Sequence, residues 1–334
     1  MTDPVAAPVL EVRDLHTYIA TGAGVVRAVD GVSFTVGERE IVGLVGESGC
    51  GKSVTCRTIA GLMASPPARS TGSVRLASYG DRNLLDLSAA DLQRLRGAHL
   101  SMVFQDPMSA LNPVMRVGAQ IEEAVGAHEK LSGRARRTRA IELMERVGIP
   151  VPERRMRDYP HQFSGGMRQR VLIAMAIAGR PKLLLADEPT TALDVLIQDQ
   201  ILSLLLELQR DFGMSMILVS HDLGVIGEMC DRVAVMYAGR IVETGPVESV
   251  IHSPAHPYTV GLMGSIPAMD EDRERLLQID GAMPRLNAIP SGCAFHPRCP
   301  KVFGRCHVER PNLMPVQATR AACWLHAADM KAAA

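Results

Sequence analysis

The segment Gly46-Glu47-Ser48-Gly49-Cys50-Gly51-Lys52-Ser53 places glycines, a lysine and a hydroxyl at the spacing of a phosphate-binding loop. Glycines let successive backbone amides turn inward around phosphate oxygens. The N-terminus of a following helix adds its dipole, the Lys52 ammonium reaches the outer phosphates, and the Ser53 hydroxyl can ligate magnesium. The context fits, because Ile41–Val45 reads as a buried strand before the loop and Val54–Met63 as a helical stretch after it. A Gly-rich surface turn would leave a Lys-Ser pair at a helix start unexplained.

A magnesium and water site needs, besides the loop, an acidic residue at the end of a buried strand. Leu183-Leu184-Leu185-Ala186-Asp187-Glu188 supplies two. Asp187 suits a hold on magnesium, and Glu188 is placed to polarise an attacking water. Two carboxylates closing an apolar run usually mark only a strand meeting solvent, so their weight comes from the loop upstream.

A second glycine-containing helix start, Phe163-Ser164-Gly165-Gly166-Met167-Arg168-Gln169-Arg170, offers another anion site. Here the chain resembles the ATP-binding-cassette (ABC) ATPases, in which this signature in one subunit closes over ATP held by the phosphate loop of the other. Further family elements follow in order: Gln105 after the Met102–Phe104 strand, Ala192-Leu193-Asp194 after the acidic strand, and His221 after the strand Met216–Ser220. The resemblance implies that Gly46, Ser48, Gly49, Cys50, Gly51, Lys52 and Ser53 bind ATP together with Ser164, Gly165 and Gly166. It implies that Ser53, Gln105 and Asp187 serve magnesium, that Glu188 is the general base, that Asp194 bridges a dimer interface and that His221 contacts the γ-phosphate. Two departures stand out. The signature reads Phe-Ser-Gly-Gly-Met where Leu-Ser-Gly-Gly-Gln is commonest, so Met167 is expected to contribute backbone only. The family also stacks an aromatic ring on adenine; Tyr18 is the candidate, although spacing to Ala28 puts Ile19 at the family position.

Gln105-Asp106-Pro107-Met108-Ser109-Ala110-Leu111-Asn112-Pro113, Tyr159-Pro160-His161-Gln162, His256-Pro257-Tyr258-Thr259 and Cys293-Ala294-Phe295-His296-Pro297-Arg298-Cys299-Pro300 look like the dipeptide and oligopeptide importer branch. That likeness spans essentially the whole chain. It implies two transmembrane permease subunits, an extracytoplasmic peptide-binding protein, and a second ATPase that is homologous or identical. Related systems also move nickel, heme or sugars. The implied place is peripheral, on the cytoplasmic face of the inner membrane. The alternative is a soluble ABC ATPase acting on nucleic acid or in iron–sulfur cluster assembly.

The elements that must hold these residues are legible as an alternation. Short β-branched runs precede turn signals, and helical spacing fills Ile121–Val147 and Ile197–Arg210, which indicates α/β with a largely parallel sheet. The expected architecture is an ABC-type P-loop nucleotide-binding domain over residues 1–255, with a helical subdomain at about 95–165, followed by a small Cys-rich C-terminal extension over 256–334. The boundary falls where prolines such as Pro254, Pro257, Pro267, Pro284 and Pro290 begin to forbid long helices. Ala332–Ala334 is expected to fray.

Lys and Arg together number 36 and so do Asp and Glu, so no overall field recruits nucleic acid. Arg134, Arg136, Arg137 and Arg139 read as a solvated helix face. Met1–Leu10 lacks the basic start and apolar block of a secretory signal, pointing to the cytosol. The densest apolar stretch, Val171–Gly179, falls far short of the roughly 20 residues of a membrane span. In that compartment seven cysteines do not suggest a disulfide framework. Cys50, Cys56 and Cys230 read as ordinary buried thiols, whereas Cys293, Cys299, Cys306 and Cys323 crowd a Pro-rich tail with little core of its own. Four thiolates suit iron–sulfur or zinc; gaps longer than those of common zinc pairs, and similar tails in the importer branch, favour a structural or oxidation-sensing [4Fe-4S] cluster with zinc as the alternative.

Overall fold

The structure is a computed structural model that describes residues 7–191, 193–264 and 279–327. Ala192 and the terminal Ala332–Ala334 lie outside them. In chain order the strands are β1 (Leu10–Thr21), β2 (Gly24–Val36), β3 (Ile41–Val45), β4 (Ala68–Leu76), β5 (Leu100–Val103), β6 (Leu183–Asp187), β7 (Ser215–Val219), β8 (Arg232–Tyr237), β9 (Arg240–Pro246), β10 (Met314–Val316) and β11 (Thr319–Ala321). The chain forms two compact units: Met1–Leu10, Val36–Glu40 and Arg75–Ile217 make one, and Glu11–Thr35, Ile41–Val74 and Leu218–Ala334 make the other.

In the first unit β5 and β6 run parallel, with Leu100 opposite Leu183 and Val103 opposite Ala186. All five residues of β6 are buried, as expected for a strand covered on both faces, which reads as a continuous apolar run. Helices Val117–His128, Gly133–Arg146, Gly165–Ile177 and Val195–Phe212 belong to this unit. The stretch Ile121–Val147, which has helical spacing, is covered by two helices. Ser132 starts the second by accepting the Ala135 N–H at 3.3 Å, a side-chain cap that satisfies a donor the new helix cannot bond internally. The arginine cluster lies on that second helix, where Arg134 and Arg137 are exposed; Arg136 and Arg139 are half-buried, Arg139 donating to Glu142 at 3.0 Å, so only part of the expected solvated face meets solvent. Helix Gly165–Ile177 buries Val171, Leu172, Ile173, Ala174, Ala176 and Ile177, so the densest apolar stretch is a core helix. Among the described residues no helix is long and apolar enough to cross a membrane.

In the second unit β3 pairs in parallel with β8, Val42 opposite Arg232 and Val45 opposite Val235. Antiparallel pairing then continues from β8 to β9, β9 to β11 and β11 to β10. The strands β2, β1 and β4 make a separate three-stranded sheet in that order. β3 is buried at every position, and Gly43 within it lets the helix Leu223–Met229 approach closely, since a Cβ there would lie 2.9 Å from Ile226 Cγ2. Buried Asp30 on β2 accepts hydrogen bonds from Tyr18 Oη at 2.6 Å, Arg240 Nε at 3.1 Å and Arg310 Nη1 at 2.9 Å, joining β1, β9 and the C-terminal segment. Burial opposes its ionisation, but the hydrogen bonds from Tyr18 and Arg240 outweigh it and hold the carboxyl at about 2.

The C-terminal segment packs on β8 through rings. Tyr237 lies 4.7 Å from Tyr258 and 5.2 Å from Phe295, centroid to centroid, and Phe295 lies 5.4 Å from Tyr258. Offset and edge-on aromatic contacts of this kind add stabilisation beyond the area they bury. Tyr258 and Phe295 are fully or almost fully buried, so a Pro-rich chain with few helices acquires a core by borrowing one side from β8.

Candidate functional site

The phosphate loop leaves the C-terminal end of β3 and enters the helix Lys52–Ile59. Its shape depends on positions open only to glycine. Gly46 sits at φ 148° and Gly51 at φ 112°, and a Cβ would clash with the carbonyl oxygen of Met236 at the first and of Ala28 at the second. Lys52 is almost wholly buried. Its ammonium donates to the Gly46 carbonyl at 2.7 Å and the Glu47 carbonyl at 3.1 Å, so a buried charge is held on the loop's own oxygens where phosphate oxygens would compete for it. Cys50 is buried and its thiol is pushed up by that burial, making it a packing group; Cys56 and Cys230 are buried too. His221, in the same unit, follows β7 and is exposed.

The first unit carries Gln105, Asp187, Glu188, the signature and Asp194. Asp187 ends β6 and is completely buried. Glu188 turns the chain at φ 46°, an uncommon conformation for a non-glycine residue, and so projects from the strand end. The carboxylate of Glu188 accepts from Gln105 Nε2 at 2.9 Å and from Thr191 Oγ1 at 2.8 Å, both on Oε2. Gln105 and Glu188, 83 residues apart, are thus brought together. Thr191 was not singled out from the sequence; the available signal was its place one helical turn's reach beyond Glu188.

Ser164 caps the helix Gly165–Ile177 by accepting the Met167 N–H at 3.3 Å, which makes Met167 contribute backbone here. Gly166 is buried against the helix Val195–Phe212, and a Cβ would lie 2.5 Å from Ile197 Cγ2. Asp194 caps that second helix, accepting the Ile197 N–H at 3.0 Å. Tyr18, the candidate adenine platform, is half-buried with its hydroxyl committed to Asp30.

Cys293, Cys299, Cys306 and Cys323 line one small cavity of about 10 Å³ together with His256 and His296. All four thiols are free. Among the described residues, however, no group of three or more His, Cys, Asp or Glu is arranged to hold a metal ion. The thiols converge without reaching ligating geometry, and the expected cluster or zinc site receives no support from the arrangement itself.

The family described as ABC transporter matches residues 29–191, and the oligopeptide/dipeptide transporter C-terminal region matches residues 242–306. The chain belongs to the ABC transporter family. Among curated proteins it is 50% identical over 305 residues to a putative peptide import ATP-binding protein of Brucella melitensis, covering 91% of each chain. It is 47% identical over 322 residues to the dipeptide transport ATP-binding protein DppD of Bacillus subtilis, covering 95% of this chain and 94% of that one. The oligopeptide transport ATP-binding protein OppD of the same organism is 50% identical over 287 residues, 86% and 80% of the two chains. Among solved structures, the dimeric post-hydrolysis state of the ATP-binding cassette MJ0796 bound to ADP and Pi superposes with a TM-score of 0.63 at 28% identity, over 71% of this chain and 98% of that one. The alternative of a nucleic-acid or iron–sulfur-assembly ATPase finds no support in these relatives.

Glu188→Gln is expected to slow ATP hydrolysis by roughly 100-fold or more while ATP binding survives. Lys52→Ala, by contrast, should mainly weaken binding. Steady-state turnover and equilibrium nucleotide titration of both variants check the pair; turnover of Glu188→Gln within a few-fold of wild type would remove Glu188 from the role of base.

Proposed function

We propose that this chain is the ATP-hydrolysing subunit that energises import of di- and oligopeptides across the cytoplasmic membrane. One observation carries the reading: a cassette match over residues 29–191 and a peptide-transporter C-terminal match over 242–306 occur in a single chain. In this reading residues 1–255 are the nucleotide-binding domain, with its helical subdomain at about 95–165, and 256–334 are the branch-specific extension. The chain works at the cytoplasmic face of the inner membrane beneath two permease subunits, beside a second ABC ATPase, homologous or identical, with an extracytoplasmic binding protein delivering peptide.

Within the site, the loop amides and Lys52 bind the phosphates of ATP and Ser164, Gly165 and Gly166 of the partner ATPase close over them. Asp187, Ser53 and Gln105 are the residues that would hold magnesium, and a completely buried carboxylate at a strand end suits a hard divalent cation. Bound magnesium supplies positive charge against the phosphate oxygens. Glu188 takes the proton of the attacking water through Oε1 or Oε2, and its hydrogen bonds from Gln105 and Thr191 aim that carboxylate. His221 contacts the γ-phosphate, Asp194 serves the dimer interface, and Tyr18 or Ile19 meets adenine.

Gln105 leads directly into the Asp106–Pro113 loop and its short helix Pro107–Ala110, so it is placed to report permease contact to the base. In reconstituted complexes Gln105→Ala should depress peptide-stimulated hydrolysis several-fold more than the basal rate, and labelled peptide uptake should fall with it. Equal losses in both rates would reduce Gln105 to a local contact, and failure of the wild-type complex to take up any di- or oligopeptide would overturn the import reading.

A second proposal concerns Cys293, Cys299, Cys306 and Cys323: they hold a structural [4Fe-4S] cluster, with zinc as the alternative. Their convergence on one cavity supports it; the absence of a metal-holding arrangement among the described residues means that the thiols must draw closer around the group. Iron, sulfide and zinc analysis of anaerobically purified protein should find four iron and four sulfide per chain, as that cluster type requires. Stoichiometric zinc without sulfide would replace the cluster, and neither metal would remove the site.

A further inference from the structure

Every polar group of Glu47, the second residue of the phosphate loop, is engaged, and two of its four partners come from the C-terminal extension. Its backbone N–H donates to Tyr258 Oη at 2.8 Å. Its carbonyl accepts from Lys52 Nζ at 3.1 Å and from the Cys50 N–H at 3.3 Å. Its carboxylate receives a two-pronged pair from Arg298, Nη1 to Oε2 at 2.7 Å and Nη2 to Oε1 at 2.9 Å.

Both partners are themselves fixed. The Arg298 side chain is only 5% exposed; its Nε donates to the Asp280 carbonyl at 2.9 Å, and its guanidinium carbon lies 5.8 Å from the Tyr237 ring centroid and 5.9 Å from that of Phe295. Tyr258 is fully buried. Its backbone N–H donates to His256 Nδ1 at 3.1 Å, and the buried carboxylate of Glu243 accepts the N–H groups of Ala255 and His256, each at 2.8 Å. These bonds set the start of the helix Pro257–Gly264 and hence the position of the Tyr258 hydroxyl.

We infer that Arg298 and Tyr258 are positioning residues for ATP: through Glu47 they hold the phosphate loop in its binding shape while phosphate oxygens compete with the loop carbonyls for Lys52. The physical need is specific. Lys52 supplies hydrogen bonds to both Gly46 and Glu47 carbonyls before ATP arrives, and sharing the ammonium with phosphate oxygens weakens them at the moment when the amides must stay aimed. A bidentate Arg–carboxylate pair with its arginine side chain buried and its carboxylate half-buried is stronger and more directional than a surface ion pair, so it can maintain the loop as phosphates draw on Lys52. The extension that distinguishes the importer branch is therefore part of the nucleotide site and tunes its affinity.

The test uses the full-length chain and equilibrium binding of ATP with magnesium, with turnover at saturating ATP and a thermal melt measured alongside. Arg298→Ala and Glu47→Gln should each weaken ATP binding by about tenfold, the double variant should be no weaker than the worse single, and turnover at saturation should stay within about twofold of wild type. Arg298→Lys, which keeps charge but not the fork, should recover only part of the affinity and serves if Arg298→Ala does not fold. Affinity within twofold of wild type in either single variant, or additive losses in the double, would overturn the inference and leave the pair a docking contact for the extension. The inference rests on Gly46–Ser53 being the ATP loop; Lys52→Ala is the control, since wild-type binding by that variant would fail the loop assignment itself, not the clamp.

Discussion

The structure depends on one constraint: consecutive backbone amides must point at a common point in space between a buried strand and a helix. Only glycine tolerates the backbone angles this needs at Gly46 and Gly51, and both positions press against carbonyl oxygens that leave no room for a Cβ. Those oxygens belong to Met236 on β8 and Ala28 on β2. The loop is consequently moulded by its surroundings as much as by its own sequence, and β3, buried along its whole length beside β8, fixes where it begins. Lys52 completes the shape by bonding to the loop's carbonyls, which keeps a buried cation satisfied before any phosphate is present.

The acidic end of β6 obeys a complementary logic. Asp187 is sunk in the core while Glu188 is thrown outward by a left-handed turn, so two adjacent carboxylates are given different environments. Gln105 and Thr191 both donate to one oxygen of Glu188, leaving its orientation set by neighbours on either side of β6 in the sequence. Ser164 and Asp194 each satisfy a local helix end, capping the helices Gly165–Ile177 and Val195–Phe212.

Local chemistry was legible from the sequence. The loop, the acidic strand, the signature and the strands around them announce themselves by residue type within a few positions, because glycine angles, buried apolar runs and capping hydroxyls act over short spans. What the sequence hid is non-local. Glu47 reads as an unremarkable loop position until Arg298, 251 residues later, is seen to grip it, and Thr191 looks like a turn residue until its hydroxyl is found on Glu188. Apolar spacing continues across the break between the helices Val117–His128 and Gly133–Arg146, so the break is marked only by Ser132, which caps the second helix. The four C-terminal thiols crowd in sequence and line one cavity, but spacing does not reveal that they stop short of a ligating arrangement.

The central claim is that the glycine-dependent form of the Gly46–Ser53 loop makes this chain an ATP-binding engine. Calorimetric titration of Gly51→Ala with ATP and magnesium, with circular dichroism to verify the fold, tests it most directly. The account predicts a folded protein whose ATP affinity has fallen by at least about tenfold, because a Cβ at a left-handed position pressed against Ala28 must displace the loop. A folded Gly51→Ala chain that binds ATP as tightly as wild type would contradict it.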